Sequence, residues 1–414
     1  MLPFRVSLRA AARIAVGCLL AASVPARAGW DNTATTALVP PAGTVLGALP
    51  ADTPMQVTVT LKLRNKGMLD QLVRNQHTPG NPMYGRTLTP AQVHAQFDPT
   101  SAQAKMVADY LKSAGFTTVR VSKGHTLVGG TATAAVVQRA FNTQLAQATI
   151  DGVSGYLNLQ PAQVPGPLAG VVLSVNGLQN VVRMKTDLQQ SAARAGVTVP
   201  YRAGVLPRIE PNSASGGVPD PSNSAFGPNE FQKAYDALGV TPGSNTVIAI
   251  STYGDDLKQV IADLRQAEQN NHLPYVPVEL RVESPIPDAD MDTGGDGEWA
   301  LDTQSSTGIA GNVKKLVLYT ADENVPASLL WQYANFASDD SSDAPTIGNM
   351  SYGTCDVLWP VTTAAIFTYM PDMASADQEF EKAAAEGRSW HASSGDSGGA
   401  CSPGNFQALP DTGP

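Results

Sequence analysis

Charge is scarce in this chain. Only 15% of its 414 residues are Asp, Glu, Lys or Arg, and the balance is acidic, at −9. No basic surface is available to meet a phosphate backbone, which excludes nucleic acid as a partner. The same scarcity limits self-repulsion when carboxylates take up protons, and so suits a protein exposed to acid. Cysteine is nearly missing. Of three, Cys18 falls inside an N-terminal leader, which leaves Cys355 and Cys401. Two thiols in an oxidising compartment favour a disulfide over a metal site, the alternative being a pair of free thiols. Long apolar runs are missing as well. The best candidate, residues 14–24, is too short to span a bilayer, so no membrane-spanning segment is expected.

That short run instead reads as a secretory signal over residues 1–28. Arg5, Arg9 and Arg13 precede it, and Ala26-Arg27-Ala28 offers an A-x-A cleavage site, so an exported, soluble protein (extracellular or periplasmic) is expected. The remaining length suits two to three domains. Residues 30–54, rich in Pro, Ala and Thr, read as an extended arm. Residues 55–63 alternate, with Val57, Val59, Leu61 and Leu63 on one face, the pattern of a half-buried strand. Helices are expected over 68–73, from Thr89-Pro90, over 102–114 up to Gly115, and over 132–141. Strands are expected at 116–122, 125–129, 144–149 and 154–158, and 168–178 closes a compact α+β unit. His94 and His125 read as structural or exposed rather than as ligands. Residues 186–224 carry Pro200, Pro207, Pro211, Pro219 and Pro221 and read as a linker open to proteolysis.

From residue 226 the pattern alternates strand and helix. Strands are expected at 247–251, 276–282, 315–319, 346–352 and 389–393, with helices over 255–271, 326–337 and 373–385. This order implies a mostly parallel sheet covered on both faces, with its active site at the carboxyl ends of the strands.

A glycine-rich loop opens a further helix in Gly294-Gly-Asp-Gly-Glu-Trp-Ala-Leu-Asp-Thr-Gln304, where Glu298 and Asp302 stand four residues apart. Helical spacing puts both carboxylates on one face, at a cost of roughly 0.2–0.5 kcal/mol as a like-charge pair. A shared proton relieves the repulsion and raises one pKa, which makes a general base or acid for an acidic medium. The plainer reading is an acidic first turn that suits the helix dipole. Gly395-Asp-Ser-Gly-Gly399 invites a different reading, with Ser397 as nucleophile and His391 as its base. It is rejected. The serine-protease fold that uses GDSGG is all-β, and its Ala-His-Cys motif is absent.

The ordered motifs together resemble the sedolisin (serine-carboxyl, kumamolisin-like) peptidases with their activation prodomain. The prodomain likeness runs from about 55 to 180, through Leu88-Thr89-Pro90, residues 110–122, Ala140-Phe-Asn-Thr143 and Val175-Asn-Gly-Leu-Gln-Asn180. The peptidase likeness runs from about 226, through Gly297-Glu-Trp-Ala-Leu-Asp302, Asn349-Met-Ser-Tyr-Gly353 and Ser393-Ser-Gly-Asp396. The resemblance implies a ferredoxin-like prodomain over 29–185, a cleavable linker over 186–224, and a subtilisin-like doubly wound peptidase domain over 225–414. It implies that Glu298 is the general base, Asp302 its proton-sharing partner, and Asp396 the oxyanion-hole acid. It implies that Ser351 and Gly353 pair with substrate backbone, that Cys355 and Cys401 form a disulfide, and that calcium is a cofactor whose ligands are not among these residues. Peptide and protein substrates are expected, as is a monomer whose own prodomain serves as inhibitor and folding aid. The family's nucleophile belongs to a Gly-Thr-Ser motif, which occurs nowhere in this sequence, and its expected place lies beyond Pro414, 18 residues after Asp396. The expectation is therefore a C-terminally incomplete, inactive domain with apolar surface exposed around Phe380 and 389–393. A non-catalytic peptide- or peptidase-binding relative, or a degraded product, is the rival expectation.

Overall fold

A computed structural model describes residues 29–38, 40, 44–150, 153–181, 183–186, 228–254, 257–283, 295–321, 326–353 and 371–394. The first unit runs β1 (Trp30–Asn32), β2 (Val45–Ala48), β3 (Pro54–Leu61), α1 (Lys66–His77), α2 (Pro90–Gln96), α3 (Ser101–Ala114), β4 (Thr117–Val121), β5 (Leu127–Thr133), α4 (Ala134–Ala140), β6 (Leu145–Ile150), β7 (Val153–Asn158), β8 (Gln163–Pro165) and β9 (Val172–Asn176). Its main sheet has the order β4-β5-β3-β9 and is antiparallel throughout. With α3 and α4 as the crossovers, this is the expected ferredoxin-like β-α-β-β-α-β arrangement. Local sequence explains its ends. Thr89 and Thr100 each accept a hydrogen bond from the backbone N–H three residues on, and Gln92 and Gln103 reach back to complete capping boxes. Gly115, at φ 104°, stops α3 in the left-handed conformation that glycine takes without strain.

Two expectations for this unit need correction. The segment 30–54 is no free arm, because β1 pairs with β8 and β2 with β6. Nor is β3 half-buried. Val57, Val59 and Leu61 enter the core with Val107, Leu111, Val137 and Phe141, but Thr58 and Thr60 are buried too. The threonine face is covered by the second unit.

The second unit runs β10 (Lys185–Thr186), α5 (Pro228–Ala234), β11 (Val247–Tyr253), α6 (Leu257–Asn270), β12 (Val278–Val282), α7 (Asp296–Ala310), β13 (Lys315–Ala321), α8 (Pro326–Ala337), β14 (Ile347–Met350), β15 (Tyr352–Gly353), α9 (Pro371–Ala385) and β16 (Ser389–Ala392). Its sheet, in the order β12-β13-β11-β14-β16, is parallel throughout. Side chains alternate across it. Ile248, Ile250, Leu316 and Leu318 cluster with Leu257, Val260, Leu264 and Trp299 of α6 and α7. Val247, Ala249, Val317 and Tyr319 cluster with Phe336, Ala337 and Ala383 of α8 and α9. This is the doubly wound α/β layout that the continuous apolar strands predicted.

The units meet along α8 and α9. Gln378 brackets the end of β3: its Oε1 accepts from the Leu63 N–H, and its Nε2 donates to the Leu61 carbonyl, each at 3.2 Å. Ser375 Oγ lies 2.7 Å from Ser174 Oγ and accepts from Asn176 Nδ2 at 3.2 Å. The surface around Phe380 is not left bare, which corrects the expectation. Phe380 is partly buried against Tyr333, with ring centroids 4.9 Å apart, and Trp390 is half-buried over Phe336 at 4.4 Å. Ser389, His391 and Ala392 of β16 are exposed.

Candidate active site

Trp299 anchors the first turn of helix α7. Its ring is fully buried, its Nε1 donates to the Tyr253 carbonyl at 3.0 Å, and it meets the Tyr253 and Tyr352 rings edge-on at 5.1 and 6.1 Å. A Cβ on Gly295 would lie 2.6 Å from that ring, so the indole packs where only glycine leaves room. The first turn of α7 is thereby pinned to the carboxyl end of β11, the edge where such sheets build their sites. Glu298 is buried in that turn, one turn before half-buried Asp302. An acidic first turn laid on the surface for its dipole would be solvated. Here Asp296 and Glu298 are both buried rather than solvated.

Asp302 and Ser351 come together. Ser351 Oγ donates to Asp302 Oδ1 at 2.8 Å and accepts from Asn349 Nδ2 at 3.2 Å. Ser351 interrupts the strand expected over 346–352 and separates β14 from β15. The strand beyond it is held from beneath. Tyr352 OH lies 3.0 Å from Tyr333 OH and bonds Ser251, which also bonds Gln332, and Gln332 Nε2 donates to the Thr252 carbonyl at 2.7 Å. Burial pushes the Tyr352 phenol up to about 12 and raises Tyr333 well above the ordinary phenol value, so both stay neutral hydroxyls in this network. Neither the tyrosines nor Ser251 and Gln332 were legible as site residues; only the aromatic and amide composition of these segments hinted at them.

Gly353 continues the strand past Ser351, and its edge can pair with a neighbouring chain. One does. Lys185 pairs with Gly353 and Thr186 with Tyr352 in an antiparallel ladder. Thr186 was expected to begin the linker; its backbone is instead committed to a strand, and its side chain is fully buried. Asp396, Ser397, Cys355 and Cys401 lie outside the described residues, as does nearly all of the expected linker. Among the described residues, no three His, Cys, Asp or Glu side chains converge as a metal site requires, and no residue is assigned to calcium. No helix of the described residues is long and apolar enough to cross a membrane. His94 and His125 belong to the first unit: His94 Nδ1 lies 2.9 Å from Asp98 Oδ2, and the two imidazoles are 5.4 Å apart.

Comparison with known proteins bears on both units. Residues 41–181 match the family described as Pro-kumamolisin, activation domain. Sedolisin of Pseudomonas sp. (strain 101) is 33% identical over 383 residues, which is 90% of this chain and 60% of that protein. Xanthomonalisin of Xanthomonas sp. (strain T-22) is 32% identical over 361 residues, 86% of this chain and 41% of that protein. The chain thus spans about half the length of these relatives. Among solved structures, Pseudomonas sedolisin complexed with two molecules of pseudo-iodotyrostatin is 30% identical, with a TM-score of 0.37 over 42% of this chain and 45% of that one.

Proposed function

Since the chain belongs to the sedolisin family and carries that family's activation domain, we propose that it is the proenzyme form of a secreted serine-carboxyl endopeptidase. Residues 29–185 are its prodomain and 225–414 the part of its peptidase domain contained in these residues. In this reading Glu298 takes the proton of an attacking serine hydroxyl. Asp302 shares that proton, and Ser351 restrains the carboxylate that shares it. Asp396, when protonated, donates a hydrogen bond to the oxyanion that develops on the scissile carbonyl, which requires an acidic medium. Calcium is a family cofactor for which these residues supply no assigned ligand. The observation that carries the reading is the contact of Ser351 with Asp302 beside buried Glu298, at the carboxyl edge of the parallel sheet.

The antiparallel pairing of Lys185–Thr186, where the prodomain passes into the linker, with Tyr352–Gly353 supports intramolecular inhibition, because it fills the edge that substrate backbone would use. The N-terminal leader supports secretion. A second reading is a peptide-binding relative without catalysis. Under the first reading the 414 residues alone also do not hydrolyse peptides, since no acyl-enzyme forms without the serine. Two measurements test this. The nucleotide sequence after codon 414 should continue, in frame or shifted by one base, into a segment encoding Gly-Thr-Ser; a stop without such a remnant favours the binding relative. Residues 29–414 should show no turnover of an unstructured protein substrate from pH 3 to 7. Turnover that vanishes in Glu298→Gln would instead make a serine of this chain, Ser397 first, the nucleophile.

A further inference from the structure

The outer face of the first unit's sheet holds a single indole, and we propose that this slot determines which catalytic domain the prodomain accepts: one that presents a tryptophan from the helix at the place of Trp331. The proposal rests on the prodomain and peptidase reading above. Trp331 projects from α8 onto β3, β4 and β5, and only 5% of it remains exposed. Three features of the indole are each met by a different strand. Its Nε1 donates to Thr58 Oγ1 of β3 at 3.0 Å. Its face lies under the Arg120 guanidinium of β4, with the central carbon 3.7 Å from the ring centroid. Its benzo edge enters the space above Gly129 of β5, where a Cβ would stand 2.7 Å from Cζ2.

Gly129 shows that the site is shaped around the ring. Its backbone is not in the left-handed region, so nothing in the strand itself calls for glycine. The indole alone does. Arg120 is in turn fixed by Nη1, which donates to the Glu283 carbonyl at 2.6 Å, so the second unit anchors the group that clamps its own tryptophan. No other side chain meets all three demands. Phenylalanine lacks the donor, tyrosine carries its donor at the wrong end of a smaller ring, and leucine has no π face for the guanidinium. The buried charges elsewhere in the interface hold the units together, whereas this slot reads the identity of one residue.

The test is a double-substitution cycle in the full chain, read by hydrogen–deuterium exchange of peptides covering β5 and α8. Gly129→Ala should speed exchange there by tenfold or more, while peptides over α3 keep wild-type protection, which shows that the first unit still folds. In a Trp331→Phe background, which removes the Cζ2 edge, Gly129→Ala should change exchange by less than threefold. Likewise Thr58→Val should matter with tryptophan at 331 and not with phenylalanine. Equal effects of Gly129→Ala in both backgrounds, or none in either, would overturn the slot. Exchange is read without hydrolysis, so loss of the peptidase reading would leave this result standing, and the reverse holds too.

Discussion

Lys382 offers the sharpest perturbation of the contact between the units. Its side chain, 1% exposed in α9, lies between Asp98 of the first unit, 2.9 Å from Nζ, and Glu379 one turn back, at 3.1 Å. Burial alone would lower its pKa. The two carboxylates and their hydrogen bonds outweigh that and hold it above the ordinary lysine value, so the ammonium stays charged. Lys382→Met keeps most of the aliphatic stem and removes the cation. Asp98 and Glu379, 2% and 0% exposed, then face each other across a dry interface without a counter-charge. Removing one partner from a buried ion pair costs roughly 3–5 kcal/mol. In a chain of this size that corresponds to roughly 3–6 °C in Tm. The deficit should also depend on pH. An orphaned buried carboxyl has its folded pKa raised above its unfolded value of about 4, so the variant is penalised above that pH and relieved below it. Thermal unfolding followed by circular dichroism at pH 7, 5.5 and 4 measures this. A variant within about 2 °C of wild type at pH 7, or a deficit that is the same at all three pH values, would refute the reasoning.

Burial holds the carboxyls of Glu283, Glu381 and Glu386 up at about 7, whereas Arg281 and Lys315 depress Glu279, and Lys315 depresses Asp343. The raised group favours folding as pH falls below about 7, and the depressed group loses its contribution once pH drops through the lowered values, so Tm should peak between roughly pH 4.5 and 7. A maximum above pH 8 would contradict these assignments. Thr186→Pro removes a backbone donor from the ladder on Tyr352–Gly353 and should speed exchange of those two amides at least tenfold; unchanged rates would mean that the ladder does not protect that edge. Cys355 and Cys401 should appear as a linked pair in non-reduced peptides of secreted protein, closing a loop of about 45 residues at roughly 3–4 kcal/mol in the chain-entropy model. Two alkylatable thiols would disprove the pairing.

Much of this fold could be read locally, and the reasons are specific. Pro326 at the first helical position and apolar residues at helical spacing mark α8 at the bounds expected, and the Glu298–Asp302 spacing marks α7. What escaped was long-range. Thr58 and Thr60 alternate with valine and leucine and so read as a solvent face, because nothing within β3 says that α8 and α9 will cover it. The Trp331–Gly129 contact joins residues about two hundred positions apart and has no local signature. The resemblance pointed to Ser351 as a residue that meets substrate; its bond to Asp302 depends on how α7 is pinned by Trp299, which no spacing reveals. Thr186 fell in a stretch whose composition reads as linker, although its backbone completes a ladder.

The bracket that Gln378 makes around Leu61 and Leu63 spans 315 and 317 positions. A ribosome adding 5–20 residues per second needs roughly 15–60 s to bring that glutamine out after those leucines. For that interval the first unit stands with its outer face in water, and the face is built of groups that tolerate waiting. Thr58, Thr60, Ser174 and Asn176 are small, uncharged and able to bond water, Gly129 adds no apolar bulk, and Leu127, opposite Thr60, is the apolar side chain that this face lends to the second unit's core. A nascent chain with such a face offers little for other hydrophobic surfaces to adhere to. Gly129 instead leaves the recess that Trp331 of α8 fills, so the order of synthesis presents a finished template to the half of the chain that arrives last.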